Sequence, residues 1–170
     1  MTKFSIRKID EMREVLMDST ASAPEQLYFV IHQPGKNVTI LPHYRLGREY
    51  PKTYGHFHKP EAEERYRILM GEVGILIQKG VDHVEEIRLI KLKKGGQFTV
   101  PKGYAHSLIN LGRGPVVTLD DHDPEKFEND YHLIKGKHGF AYYLTEEKGK
   151  LKTIPNPNYV RVPSLIKEEV

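Results

Sequence analysis

No cysteine occurs among the 170 residues. That excludes a disulfide framework, a thiolate metal ligand and a cysteine nucleophile. Long apolar runs are also missing: no stretch approaches the length needed to cross a bilayer, and Lys3, Arg7 and Lys8 break up the N-terminus, so neither a membrane partner nor a leader is expected. This reading places the chain in the cytoplasm. An excess of one charge is lacking too, since 26 basic residues face 23 acidic ones for a net charge of +3, which does not mark a nucleic-acid binder. The densest basic run, Lys91-Leu92-Lys93-Lys94, reads as a solvated turn between strands. A chain of this length is about one domain and can bury a core without staples.

Helical signal is strongest in one place, with a single further turn expected after Pro124. Ile9, Met12, Val15 and Leu16 recur at helical spacing among charged residues, which predicts a short amphipathic helix near residues 8–18. From Gln26 onward the chain offers short runs rich in Val, Ile, Tyr and Phe, cut by Gly and Pro. Strands are predicted at 27–32, 38–43, 65–70, 73–78, 83–92, 97–100, 106–111 and 116–120. A late hairpin over 139–144 and 150–154 turns across Glu147-Lys148-Gly149. Frequent short strands argue for an antiparallel sandwich or barrel. Residues 1–25 read as an N-terminal extension, 26–154 as the barrel with its hairpin, and 155–170 as an extended tail without strand pattern.

Two clusters carry chemistry. The first is Gly55-His56-Phe57-His58 with Glu64 and Tyr66 following. Residues two apart on a strand share a face, so His56 pairs with His58 and Glu64 with Tyr66. The second sets Gly95, Pro101, Gly103, His106 and Asn110 at fixed offsets. Together they supply three imidazoles and one carboxylate, a donor set suited to one divalent ion such as Fe, Mn, Ni, Co or Zn and poorly suited to Mg or Ca. Four protein ligands to a six-coordinate ion leave two positions open, which makes a Lewis-acid centre.

Both clusters resemble the two motifs of the cupin superfamily, and the wider sequence resembles the cupin-type phosphoglucose isomerases known mainly from archaea. The resemblance runs through residues 39–58, Glu64-Arg65-Tyr66, Val100-Pro101 with Ala105-His106, Asn110-Leu111-Gly112, Asn129-Asp130-Tyr131, Lys137-His138-Gly139-Phe140 and Asn156-Pro157. It implies a mainly β fold, a cupin jelly-roll barrel with a short N-terminal helix and an extended C-terminal tail. It also implies one divalent metal (Fe, Mn, Ni or Zn) on His56, His58, Glu64 and His106. Thr39, Thr53 and the backbone near Gly55 would hold a substrate phosphate, and Tyr66 and Tyr131 would line the sugar pocket. The implied reaction interconverts glucose 6-phosphate and fructose 6-phosphate, and the implied assembly is a homodimer. Glu64 acts as base if hydrogen moves as a proton, and as a ligand alone if it moves as a hydride. A cupin dioxygenase and a sugar-phosphate-binding cupin without turnover are the alternatives.

The match departs from the family in one region. The family commonly has His-Asp-Tyr where this chain reads Asn129-Asp130-Tyr131, and a tyrosine where His122 stands. His122 either replaces the lost imidazole or is an ordinary loop histidine beside Asp121 and Asp123; local composition favours the loop. His32, His43, His83, His132 and His138 read as structural or surface residues.

Overall fold

The computed structural model describes residues 2–170. Fourteen strands and two short α-helices follow one another among them. The chain begins with β1 (Lys3–Lys8), α1 (Ile9–Met12) continued by a 3-10 turn at Arg13–Val15, β2 (Gln26–His32), β3 (Asn37–Leu41), β4 (Phe57–Lys59) and β5 (Glu64–Met70). Next come β6 (Glu72–Lys79), β7 (Glu86–Lys93), β8 (Gln97–Val100), β9 (Tyr104–Asn110), β10 (Val116–Asp120) and β11 (Glu128–Asp130). The chain closes with α2 (His132–Gly136), β12 (Tyr142–Glu147), β13 (Lys150–Pro155) and β14 (Ile166–Glu169). One sheet has six strands in the order β1-β2-β3-β10-β5-β8, and the other has four in the order β14-β7-β6-β9. β12 and β13 form a separate hairpin, and β11 pairs with β4. The sequence order is shuffled within each sheet, as a jelly roll requires, and the fold is mainly β as expected.

The predicted strands correspond to β2, β3 and β5 through β10, and the late hairpin to β12 and β13. Four features differ from the sequence reading, besides the short strands β4 and β11, which it did not mark. The N-terminal extension contains β1, whose residues from Lys3 to Arg7 pair in register with His32 to Tyr28 on β2. The helix spacing places Ile9, Met12, Val15 and Leu16 in the core, yet α1 and its 3-10 turn end at Val15. The tail carries β14, which runs parallel to β7 through Ile166↔Arg88 to Glu169↔Lys91 and is held by paired contacts from Arg88 to Glu168. The basic run is also mostly strand, because β7 extends through Lys93 and only Lys94 begins the turn.

The inner face of the six-stranded sheet carries buried polar residues, and the outer face of β3 and β10 is apolar. On β3, Asn37, Thr39 and Leu41 are buried while Val38 and Ile40 are only half-buried, and on β10 the buried residues are Val116, Thr118 and Asp120. β5 buries Glu64, Tyr66 and Ile68 and turns Arg65, Arg67 and Leu69 outward. A strand alternates its faces with period two, so Asn37 and Thr39, Thr118 and Asp120, and Glu64 and Tyr66 look into the interior together. The result is a polar-lined cavity of about 260 Å³ under this sheet. The four-stranded sheet is conventional: Val73, Ile75 and Ile77 on β6 and Ile87, Leu89 and Ile90 on β7 are all fully buried.

Candidate metal centre and ligand cavity

The first histidine motif lies on a segment that runs antiparallel to β9, with bridges at Lys52↔Ile109 and His56↔His106. The amide of His56 donates to the carbonyl of His106 at 3.2 Å, and the amide of His106 donates back at 3.0 Å. The two imidazoles are therefore direct cross-strand neighbours, with ring centroids 4.5 Å apart. His58, two residues on, reaches the same side, 5.1 Å from the His56 ring and 5.1 Å from the His106 ring. Glu64 enters from β5 on the opposite sheet. One donor atom from each of His56, His58, Glu64 and His106 lies within 4.8 Å of every other.

The donor geometry fits a cation. Glu64 Oε2 lies 2.8 Å from His58 Nε2 and 2.7 Å from His106 Nε2. Yet His106 Nε2 makes no aligned hydrogen bond, and the buried Nδ1 atoms of His58 and His106 lack partners as well. Buried polar atoms left unpaired are costly, and the His106 Nε2, which lies against the Glu64 carboxylate without an aligned bond while His58 Nε2 bonds the same oxygen, is an atom that a shared metal ion would satisfy. Burial, with the neighbouring His106, holds His56 well below the ordinary imidazole range, which leaves its ring neutral and available as a ligand. Burial alone would raise the Glu64 carboxyl, but His106, His58 and His56 outweigh it and hold the group well below the carboxylate range. One divalent ion suits this site, and its nitrogen-rich donor set is that of a first-row transition metal.

Gly55 is required where it stands. Its φ is +86°, and an added Cβ would sit 2.2 Å from the ring of Phe140. Thr53 donates its amide to the Leu108 carbonyl, while its Oγ1 accepts from the Leu108 amide and meets Ser107 Oγ. It thus clamps the histidine segment onto β9 and borders the cavity at the same time. Asn110 holds the turn that follows β9, with Nδ2 donating to the carbonyls of Leu41 and Gly114 and Oδ1 accepting from the amide of Gly112.

Thr39, Thr53, Gly55, Tyr66 and Tyr131 all border the same cavity as His56, Glu64 and His106, while His58 lies buried in the metal cluster. The Tyr131 ring stands edge-on to His56 at 5.4 Å, and Tyr66 stands edge-on to His106 at 5.7 Å. Burial and the nearby Glu64 push the Tyr66 phenol well above its usual range, so it remains a proton donor.

Some lining residues were not singled out from sequence, and His122 and Asn129 were marked only as departures from the family. Asp120 on β10 accepts from Asn37 Nδ2 at 2.7 Å and from the His122 amide at 3.1 Å. Burial and the charge of Glu64 push its carboxyl up to about 8. His122 borders the cavity and stacks on His58 with centroids 4.6 Å apart, so the loop reading of this residue gives way to a place in the site. His32 also borders it, sharing a 2.9 Å hydrogen bond with Ser5, rather than lying on the surface. Asn129 is paired with His58 across β11 and β4, and its Nδ2 donates to the Tyr131 hydroxyl at 3.4 Å. Arg7, Glu11 and Tyr28 close the rim. The signal that could have found Arg7 and Tyr28 is alternation: once β1 and β2 are placed, both fall on the inward face with Ser5 and Val30.

Comparison with known proteins agrees with this geometry. A family model described as glucose-6-phosphate isomerase (GPI) matches residues 7–161. Glucose-6-phosphate isomerase of Thermococcus kodakarensis is 34% identical over 122 residues, covering 71% of this chain and 62% of the relative. The Pyrococcus furiosus protein of the same name is 28% identical over 172 residues, covering 92% of this chain and 88% of the relative. The chain thus spans 62% of the length of the Thermococcus relative. Among solved structures, a recombinant oxalate oxidase in complex with glycolate is 16% identical with a TM-score of 0.42, covering 78% of this chain and 52% of that chain. With the family match running from the first strand to beyond the late hairpin and including all four clustered metal donors, this chain belongs to the glucose-6-phosphate isomerase family.

Proposed function

We propose that this protein interconverts glucose 6-phosphate and fructose 6-phosphate with one bound divalent metal. The observation that carries the reading is the sharing of a single cavity by the His56, Glu64 and His106 donors and by Thr39, Thr53 and Tyr131. Moving hydrogen between C1 and C2 of an open-chain sugar needs an electrophile at the carbonyl oxygens, a group that takes and returns a proton, and a hold on the far end of the chain. His56, His58, Glu64 and His106 would hold a divalent Fe, Mn, Ni or Zn ion, which would supply the first as a Lewis acid.

The chain's own residues supply the rest. Glu64, held ionised, carries the proton between the two carbons where hydrogen moves as a proton, and serves as a ligand alone where it moves as a hydride. Tyr66, held protonated, donates to a sugar oxygen, and Tyr131 presents an aromatic wall beside His56. His122 takes over at the pocket edge where Asn129 replaces an imidazole. Thr39 and the backbone at Gly55 donate to the phosphate. The Thr53 hydroxyl can do so as well, because Ser107 directs its own proton to the Thr53 carbonyl.

The outer face of the six-stranded sheet supports a homodimer. Two apolar rows cross it, Phe4-Ile31-Val38-Leu119 and Ile6-Phe29-Ile40-Val117-Met70, read directly from the strand registers. Phe4 is 60% exposed and stacks on Phe29 at 6.1 Å. Phe4 and Met70 are exposed and the rest of the rows half-buried, an apolar face of the extent that an association surface takes. The cytoplasm, where sugar phosphates are made and used, is the compartment that suits this activity; no helix among the described residues is long and apolar enough to cross a membrane.

The test is a coupled assay of fructose 6-phosphate conversion on metal-stripped protein, repeated after adding Mn, Fe(II), Ni or Zn, with His58→Ala as control. Metal-restored turnover that the variant lacks is the expected result, and the metal restoring most activity identifies the ion. Absence of turnover with every metal would sink the isomerase reading.

A further inference from the structure

Among the described residues that line the cavity, Arg7 is the only lysine or arginine. It comes from β1, a strand outside both metal motifs. Its Nε donates to the Tyr28 hydroxyl at 3.3 Å, and its Nη1 donates to Glu11 Oε1 at 3.3 Å. A guanidinium has five N–H donors in a planar fork. Three of them, including both on Nη2, have no acceptor among the described residues.

The guanidinium is also held in place. Its carbon lies 5.3 Å from the Tyr54 ring centroid and 5.4 Å from that of Tyr131, and those two rings meet edge-on at 5.1 Å. The Tyr28 hydroxyl that accepts from Arg7 accepts also from the amide of Tyr54, at 3.2 Å. Tyr54 lies between Thr53 and Gly55, so one hydroxyl links the guanidinium to the backbone of the histidine segment. Glu11 does not neutralise the group fully, because its other oxygen is held by the Lys8 amide at 2.7 Å and the ion pair is half-exposed.

We propose that Arg7 makes the ionic contact to the substrate phosphate and so sets the preference for phosphorylated over neutral sugars. The inference rests on reading this cavity as a sugar-phosphate site, and it fixes the direction of the substrate. One tyrosine ring, Tyr131, neighbours both the guanidinium and the metal ligand His56, 5.4 Å from each. The phosphate end of an extended hexose phosphate lies at the β1 rim, and C1 and C2 lie over the histidines. A phosphate dianion entering a half-closed cavity needs a countercharge, and a planar fork with free donors matches its oxygens where neutral hydroxyls supply hydrogen bonds alone. The first strand, and not only the two metal motifs, then decides the substrate class.

The experiment compares wild type, Arg7→Gln and Arg7→Lys as metal-loaded protein, with metal content and far-UV spectra showing that each is folded and loaded. Binding of fructose 6-phosphate, fructose and inorganic phosphate is measured by calorimetry, alongside KM and kcat. Arg7→Gln is expected to weaken fructose 6-phosphate and inorganic phosphate about tenfold to a hundredfold, to raise KM by a similar factor, and to leave kcat within a few-fold. Arg7→Lys, keeping charge but losing the fork, should restore part of the loss. If Arg7→Gln binds inorganic phosphate and fructose 6-phosphate as tightly as wild type, the inference is overturned even where turnover is robust. If wild type binds fructose 6-phosphate through Arg7 but never isomerises it, the inference stands and the isomerase reading falls. A wild-type protein that binds fructose no more weakly than fructose 6-phosphate overturns the inference outright.

Discussion

The ring of Phe140 occupies the space that a Cβ on Gly55 would need, 2.2 Å from its Cε2. This contact links the segment that precedes the late hairpin to the strand that presents His56 and His58, and it makes the glycine a steric requirement of the site as well as a conformational one.

Gly55→Ala should therefore cost about 3 kcal/mol or more, because a positive φ and an overpacked neighbour add. Metal occupancy should fall with it as the histidine segment shifts. Thermal melts and metal analysis check both, and adding Phe140→Ala should recover part of the metal binding while leaving the strain at φ +86°. A Gly55→Ala protein as stable and as metal-replete as wild type would contradict the packing account.

Stripping the metal should lower the melting temperature. A ligand bound to the native state at a hundredfold excess over its Kd contributes about 2.7 kcal/mol, and that stabilisation should vanish with chelator and return with the ion. Glu64→Gln keeps the shape but removes the charge, so it should weaken metal retention and abolish turnover together. Differential scanning with and without added ion makes the comparison.

Asp120 gives a pH signature in the metal-stripped protein. Burial and the Glu64 charge raise its carboxyl to about 8, far above its value in an unfolded chain. Between those two values the native state holds a proton that the unfolded state has lost, so this group favours the fold at low pH and that support is lost as pH rises toward 8. Asp120→Asn preserves the acceptor for Asn37 and for the His122 amide without the titration. Its stability relative to wild type should rise from pH 5 to pH 8, by up to about 1.4 kcal/mol per pH unit. Denaturant titrations across that range measure the slope, and a flat difference would show that Asp120 does not carry the proton.

The apolar rows of the outer sheet predict the assembly. Phe4→Glu combined with Ile31→Glu should convert a dimer to monomers at micromolar concentration while leaving metal content unchanged, because both side chains point away from the cavity. Sedimentation velocity on the two proteins decides it. An unchanged dimer would place the interface elsewhere.

Local pattern carries much of this molecule. The strands that became β2, β3 and β5 through β10 were legible because side-chain alternation and Gly or Pro punctuation act within a few residues. The metal donors were legible for a related reason: His56 and His58 share a face by strand geometry alone, and the Pro101, Gly103 and His106 spacing belongs to one tight turn entering β9. The family resemblance added Thr39, Thr53 and Tyr131, which the sequence by itself could not distinguish from ordinary strand and core residues.

Other features depended on which distant segments pair. β1 and β14 have weak strand patterns of their own, since Lys3–Lys8 is mostly exposed and Ile166–Glu169 is short and charged. Their backbone groups are satisfied by β2 and β7, partners that lie tens of residues away. Arg7, Asp120 and His122 became site residues for the same reason. Nothing within a few residues of Arg7 or Asp120 marks a cavity, and local composition favoured a loop for His122; each faces the cavity only because register across the six-stranded sheet, or the stacking of a loop on His58, turns it inward. The sequence alone determined β2, β3, β5 through β10, the late hairpin and the donor set, through short-range geometry. The tertiary structure alone decided the cavity's rim and its charge, because long-range strand register selects which face of each strand looks at the metal site.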